Sequence, residues 1–253
     1  MPENDLILAV ETSSRTGSAA LARGDELLAE KLFTAPLKHS AEIFPTIFTL
    51  LSRFELKPDR IEQIYISGGP GSFTGLRIAA TLAKTMHLAT GVKIVSVDTL
   101  DVIAANVISL TEDNGSDEIP KTAGYERVAA IVDAKRGQFF VAVYERGHPD
   151  QQRPEDPYKW TKILPDCLMR PEQFIVDFAA SDRDIWLLGD GLLYYRKKFQ
   201  ARGIRFFEQN YWSPRASKVY LLGRQMAVRD KFADPLTLIP NYLRGPDAKI
   251  KNI

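Results

Sequence analysis

The apolar positions of this chain fall into short β-rich runs that give way to longer helical stripes, and the succession occurs twice. Leu6 to Thr12 reads as a strand dense in β-formers and alanine. Ser18 to Arg23 continues after the polar turn Ser13 to Gly17, and Gly24-Asp25 leads into Glu26 to Phe33, which makes a three-stranded meander. Ser40 to Phe54 then carries Ile43, Phe44, Ile47, Phe48, Leu50, Leu51 and Phe54, more than one helical stripe. A strand over Ile61 to Ile66, a helix over Thr74 to Thr90, a strand over Lys93 to Val97 and a helix capped by Asp98 or Thr99 and running through Ile108 complete the first half. The order is β-β-β-α-β-α-β-α.

A polar stretch, Thr111 to Gly124, separates this from the second half and reads as an exposed loop. Arg127 to Asp133 and Gln138 to Tyr144 form a hairpin around Lys135-Arg136-Gly137, and Trp160 to Leu164 supplies a third strand after the polar loop Gly147 to Tyr158. Pro171 opens a helix to Phe178, where proline is tolerated. Asp184 to Leu188 is a strand, Leu192 to Arg202 a helix, Ile204 to Phe207 a strand and Ala216 to Lys231 a last helix. The same element order recurs, so the fold class is α/β with two related lobes. The first spans 1–108 and is joined by the C-terminal helix 214–232; the second spans 125–213, and 233–253 forms a tail.

Composition removes several classes of function. At 253 residues the chain is long enough for cores in both lobes. Its net charge of +1 provides no global field toward nucleic acid or an anionic membrane. The basic groups Arg196, Lys197 and Lys198, and Lys249 and Lys251, read as solvated faces. A single cysteine, Cys167, excludes an internal disulfide and a multi-cysteine metal site. The acidic start, Met1 to Asp5, has no secretory signal pattern, and no apolar run is long enough to span a bilayer, so a cytoplasmic location and no membrane contact are expected.

The most specific string is Ser67-Gly68-Gly69-Pro70-Gly71-Ser72-Phe73-Thr74-Gly75-Leu76-Arg77, at a strand-to-helix corner. Glycines there admit backbone conformations closed to other residues and leave helix N–H groups open to an anion or a partner. The spacing is not that of a P-loop: Gly75 is followed by Leu76 and Arg77, with no lysine in the loop. It is not a dinucleotide fingerprint either, because Thr74 stands where the third glycine belongs. A tight corner without ligand satisfies the same residues.

Two such lobes in tandem resemble the superfamily of actin, heat-shock chaperones and sugar kinases, built from duplicated ribonuclease-H-like domains. More narrowly, Leu8 to Ser13, His39-Ser40-Ala41-Glu42, the glycine string through Arg77 and Val132 to Gly137 are similar to the TsaB (YeaZ) family. Pro240-Asn241-Tyr242-Leu243-Arg244 resembles that family's C-terminal signature. The resemblance implies a non-catalytic role in forming threonylcarbamoyladenosine beside the anticodon of tRNAs that read codons beginning with adenine. It also implies partnership with the paralogue TsaD, which transfers the group, and with the ATPase TsaE in a ternary complex. By the same resemblance a homodimer forms when the protein is alone, and tRNA is reached only through the complex.

The chain's own chemistry looks thin. A TsaD-like metal site uses histidines at i, i+4, whereas His39, His87 and His148 lie far apart, so no metal and no cofactor is expected. Nucleotide handling in the superfamily needs groups whose counterparts here are Glu11, Thr12 and Ser13, then Asp133, then Gly189 and Gly191 around Asp190. Glu11 is longer than the usual aspartate and would displace a Mg²⁺-bound water, which that ion tolerates poorly. The site therefore reads as vestigial. Ser13, Ser14, Ser72 and Cys167 have no histidine that sequence places beside them, and no catalytic residue is nominated. The competing classes are an ATP-dependent phosphotransferase of the sugar- or acetate-kinase type and a peptidase acting on TsaD. An autonomous RNA-binding module is disfavoured by the low net charge and the lack of an aromatic-basic RNA motif.

Helix Ser40–Phe54 has apolar residues to spare: with one face on a sheet, Phe44, Phe48 and Leu51 remain, while Pro45 removes one helix N–H. Helix Thr74–Thr90 offers the small face Ala79, Ala80, Ala83 with Lys84. Pattern alone allows both helices to be simply buried. The resemblance instead implies that Ile43, Phe44, Ile47, Phe48, Leu51, Ala79, Ala80 and Ala83 form a helical bundle with TsaD or with a second copy of the chain.

Overall fold

The N-terminal apolar run has to be covered on both faces, and the computed structural model shows how. The structure describes residues 5–108, 125–147, 160–179 and 183–243. Strand β1 (Leu6–Glu11) is buried throughout and lies mid-sheet, antiparallel to β2 (Ser18–Arg23) and parallel to β4 (Gln63–Gly69). With β3 (Glu26–Leu32) and β5 (Lys93–Asp98) the sheet order is β3-β2-β1-β4-β5. Strand side chains alternate between faces. Leu6, Leu8 and Val10 pack under α1 (His39–Arg53) and α2 (Phe73–Thr90). Ile7 and Ala9 pack with Tyr65 and Val95 beneath α6 (Ala216–Val228), so the last of the described helices covers the first sheet.

The second sheet has the order β10-β9-β6-β7-β8, from β6 (Arg127–Asp133), β7 (Phe139–Arg146), β8 (Trp160–Met169), β9 (Ile185–Leu188) and β10 (Ile204–Phe206). Read from β8, it repeats the first: an antiparallel meander followed by two parallel strands. The fold is two tandem ribonuclease-H-like lobes. Phe139, Phe174 from α4 (Pro171–Phe178) and Phe199 meet edge to face in the second core. Helix α3 (Thr99–Ile108) belongs to both: Leu100, Ile103 and Val107 enter the second core, and Val102 the first.

Several boundaries differ from expectation. Strand β4 continues past Ile66 to Gly69, because the first residues of the glycine string still pair with β5. Strand β8 runs beyond Leu164 to Met169; a register shift against β7 admits Pro165 on this sheet edge. The helix expected over Leu192 to Arg202 is only one turn, α5 (Leu192–Tyr195), followed by a 3₁₀ turn over Arg196–Lys198. There the chain leaves the helical path and Phe199 turns fully inward. Helix α6 ends at Val228 rather than Lys231, since Asp230 adopts a left-handed φ of 56°. The inserts Thr111 to Gly124 and, apart from Gly147 itself, Gly147 to Tyr158 lie outside the described residues, as do His148, Lys249, Lys251, Arg244 and Met1 to Asn4. Among the described residues no helix is long and apolar enough to cross a membrane.

Gly223 sets the approach of α6: a Cβ there would stand 2.6 Å from the ring of buried Tyr65, whose hydroxyl donates to Gln63 Oε1 at 2.7 Å. Gly223→Ala should lower stability by about 1–3 kcal/mol through overpacking. That outweighs a helix-propensity gain of about 1 kcal/mol. Urea denaturation measures the difference.

Candidate functional site

The glycine string is where three stretches of backbone meet. Thr12 Oγ1 donates to the Gly75 carbonyl at 2.7 Å, and Ser72 N–H donates to the Ser13 carbonyl at 2.7 Å. A Cβ on Gly75 would fall on the Thr12 carbonyl oxygen, far inside contact distance, so α2 can start here only with glycine in its first turn. A Cβ on Gly71 would stand 2.5 Å from the Ser13 carbonyl oxygen, and one on Gly68 would meet the Ser96 hydroxyl. Gly69, at φ 112°, faces the tail, where Asn241 N–H donates to the Gly68 carbonyl at 2.7 Å. Ser72 caps α2 by accepting from Gly75 N–H at 3.3 Å. Exposed Thr74 follows, and Arg77 lays its guanidinium 3.7 Å above the Phe73 ring, which contacts Tyr242 of the tail.

Glu11 lies beneath this corner, sealed from solvent. Its Oε1 accepts from Ser13 N–H and Ser13 Oγ–H, each at 2.5 Å, and Oε2 accepts from Ser67 Oγ–H. Burial pushes its pKa up, and the hydrogen bonds from Ser13 and Ser67 pull it back. Glu11 therefore knots β1 to β4. In this geometry protein donors occupy both Glu11 oxygens.

Above the corner, a cleft of about 570 Å³ opens between the lobes. Of the residues expected at a nucleotide, Ser13 and Asp133 line it. Glu11 and Thr12 lie below, while Gly189 and Gly191 wrap the Ile131 carbonyl at the end of β6. Asp190 between those glycines does reach the cleft. It is 8% exposed, and its Oδ1 accepts no hydrogen bond from any described group. Burial, together with the Asp133 charge, pushes Asp190 up to about 6, against backbone N–H groups of Arg15 and Asp133 and the charge of Lys135. Lys135 pairs with Asp133 at 2.5 Å, and Arg15 crosses between the lobes to donate to the Tyr194 hydroxyl at 2.9 Å.

Arg15, Lys135, Tyr194 and the tail residues Asn241 to Leu243 are cleft residues that sequence reasoning did not assign as such. The hairpin tip and the Pro240 to Arg244 string carried the available signal. His39 is structural, since its Nε2 bonds the Ser14 carbonyl at 2.8 Å and its ring packs on Phe33, fastening the start of α1 to the β1–β2 turn. Glu42 completes the string by accepting from Thr34 and Ala35 N–H. Burial raises the Cys167 thiol, as does nearby Asp166, which makes it a poor nucleophile. Among the described residues no group of three or more His, Cys, Asp or Glu is placed to hold a metal.

The helical surface is narrower than expected. Ile43, Ile47, Leu51, Ala79, Ala80 and Ala83 are buried within the first lobe, because α1 and α2 pack on the sheet through these residues. Phe44 and Phe48, one turn apart on α1, are 54% and 55% exposed. They flank exposed Pro45 on the outer face.

A family model described as TsaD, tRNA N6-adenosine threonylcarbamoyltransferase, matches residues 34–252. The chain is 28% identical over 251 residues to the tRNA threonylcarbamoyladenosine biosynthesis protein TsaB of Bacillus subtilis, covering 97% of this chain and 96% of that protein. It is also 28% identical to the Escherichia coli TsaB over 140 residues, 55% of each chain. The solved structure of YeaZ from Pseudomonas aeruginosa superposes with a TM-score of 0.71 at 22% identity, covering 94% of this chain and 100% of that one, which establishes the shared fold.

Gly75→Ala should destabilise the protein by about 3 kcal/mol or more, because its obstacle is backbone that cannot swing aside. Chemical denaturation reads this out. For Asp190, the folded state holds a proton that the unfolded chain releases at lower pH, so stability falls as pH rises from about 4 to about 6. Asp190→Asn should flatten that segment and raise stability at pH 7 by up to about 3 kcal/mol. A melting series across pH 4–7 compares the two proteins.

Proposed function

This chain belongs to the family described by the TsaD model and, within it, to the TsaB (YeaZ) proteins, and we propose that it serves tRNA threonylcarbamoyladenosine biosynthesis as a non-catalytic, activating subunit. Its partner is the paralogue TsaD, which carries the transfer of threonylcarbamoyl to adenosine; the ATPase TsaE joins the assembly, and tRNA is met through the complex. The observation that carries this reading is the exposed Phe44–Phe48 pair on α1. Two aromatic rings one helical turn apart, on a helix already anchored by Ile43, Ile47, Leu50 and Leu51, suit a helix–helix contact. Alone, the same surface pairs with a second copy of the chain. Homodimer and heterodimer are then mutually exclusive.

The buried state of Glu11 supports the absence of phosphoryl chemistry, since its oxygens are taken by Ser13 and Ser67. One observation favours a second reading, an ATP-dependent phosphotransferase: the interlobe cleft is roomy and keeps Ser13, Asp133 and the unpartnered Asp190 oxygen on its wall. Calorimetry of the isolated chain with Mg-ATP separates the two. The subunit reading expects no turnover, and hydrolysis by the lone chain would favour the phosphotransferase.

Phe48→Asp should abolish association with TsaD, lowering affinity at least a hundredfold, and leave the thermal midpoint within a few degrees. Analytical ultracentrifugation of the mixed proteins reads the first and scanning calorimetry the second. A full-strength complex with a folded variant would show that the partner docks elsewhere.

A further inference from the structure

The two lobes meet away from the cleft at three carboxylates that share one cation among the described residues. Asp98, at the end of β5, caps α3 by accepting from Leu100 N–H at 2.8 Å and Asp101 N–H at 3.2 Å. Across the boundary, Lys162 and Asp166 rise from β8 and Tyr144 from β7. The Lys162 ammonium stands 2.5 Å from Asp166 Oδ1, 2.8 Å from Asp101 Oδ1 and 3.8 Å from Asp98 Oδ1, and the Tyr144 hydroxyl donates to Asp101 at 2.6 Å. One ammonium thus serves three carboxylates. The Asp166 side chain is only 10% exposed, and neither of its oxygens has a hydrogen-bond donor among the described groups, Lys162 approaching as an ion pair. Asp98 Oδ1 and Asp166 Oδ1 converge on that ammonium from opposite lobes. Like charges crowded in this way, partly buried and around a single cation, favour keeping a proton among them.

We propose that Asp98 of the first lobe and Asp166 of the second share one proton, and that this proton latches the lobes together until alkaline pH removes it. Burial, the contact with Asp166 and the charge of Asp101 push Asp98 up to about 8, and Lys162 only partly opposes them. Burial lowers Lys162, yet Asp98, Asp101 and Asp166 together hold it above its ordinary value, so the ammonium stays charged while the shared proton leaves. Burial and the neighbouring aspartates also hold the Tyr144 phenol well above its ordinary value, so it remains a donor. Loss of the proton leaves three ionised carboxylates on one cation, and repulsion then falls between β5 with α3 on one side and β8 on the other.

The test uses the full chain. Between about pH 6 and 8 the native state holds a proton at Asp98 that the unfolded chain has released, so the unfolding constant rises about tenfold per pH unit from this group. Asp190, raised to about 6, contributes only at the lower edge of this window. Asp98→Asn keeps an oxygen to cap α3 and gives Asp166 a permanent N–H donor, so its stability should fall less steeply across this window. Asp166→Asn should flatten it likewise. Amide exchange in β8, corrected for its intrinsic pH dependence, should accelerate between about pH 6 and 8 and level off above in the parent protein, and not in Asp98→Asn. Carbon NMR of the Asp98 carboxyl gives a direct reading without substitution. Titration of that carboxyl in the ordinary range near 4, or parallel pH profiles for the parent protein and both variants, would overturn the latch.

Discussion

Backbone packed against backbone governs this molecule. At the corner where β4 becomes α2, the carbonyls of Thr12 and Ser13 occupy the space that side chains on Gly75 and Gly71 would need. That contact fixes the distance between the β1–β2 turn and the head of α2. From it follow the burial of Glu11 under Ser67, the position of Ser13 on the cleft wall and the landing place of the tail at Gly68. A single methyl group at Gly75 would press on all of these at once. The glycine string is thus a packing device, and its lack of a P-loop lysine follows naturally.

Much of this architecture was legible in the residues. β-rich runs separated by polar turns located the strands, and the repeated order announced two lobes, because both signals are local. The failures were non-local. Nothing in Leu192 to Arg202 reveals that Phe199 is needed between Phe139 and Phe174, so the helix was expected to run on. Helix α1 is apolar on more than one side, and sequence alone could not say that Leu51 faces inward while Phe44 and Phe48 face out. Ala79, Ala80 and Ala83 suited an external helix as well as the internal one they meet. At the cleft, Ser13 and Asp133 were foreseen, whereas Arg15 and Tyr194 are brought together only by the closure of the lobes. Asp98 and Asp166 carry no periodic signal for the same reason.

The two lobes also divide their labour. The first puts its paired helices on the outside and exposes aromatic rings there, while its buried carboxylate is tied up internally. The second supplies the aromatic core and the carboxylates that line the cleft. Helix α3, buried nearly all round, is the shared wall, with Leu100 and Ile103 in one core and Val102 in the other. Such a wall couples the stability of both halves more strongly than the polar bridges across the cleft mouth can.

The return of α6 to the first sheet bears on how the molecule is born. While the polypeptide emerges from the ribosome, Ile7, Ala9, Tyr65 and Val95 present an oily floor whose cover, Ala216 to Tyr220, has yet to be translated. The whole second lobe must pass before that floor is shut. A nascent chain of this design keeps that apolar floor uncovered until α6 has been made, so the first lobe cannot close on its own sequence alone.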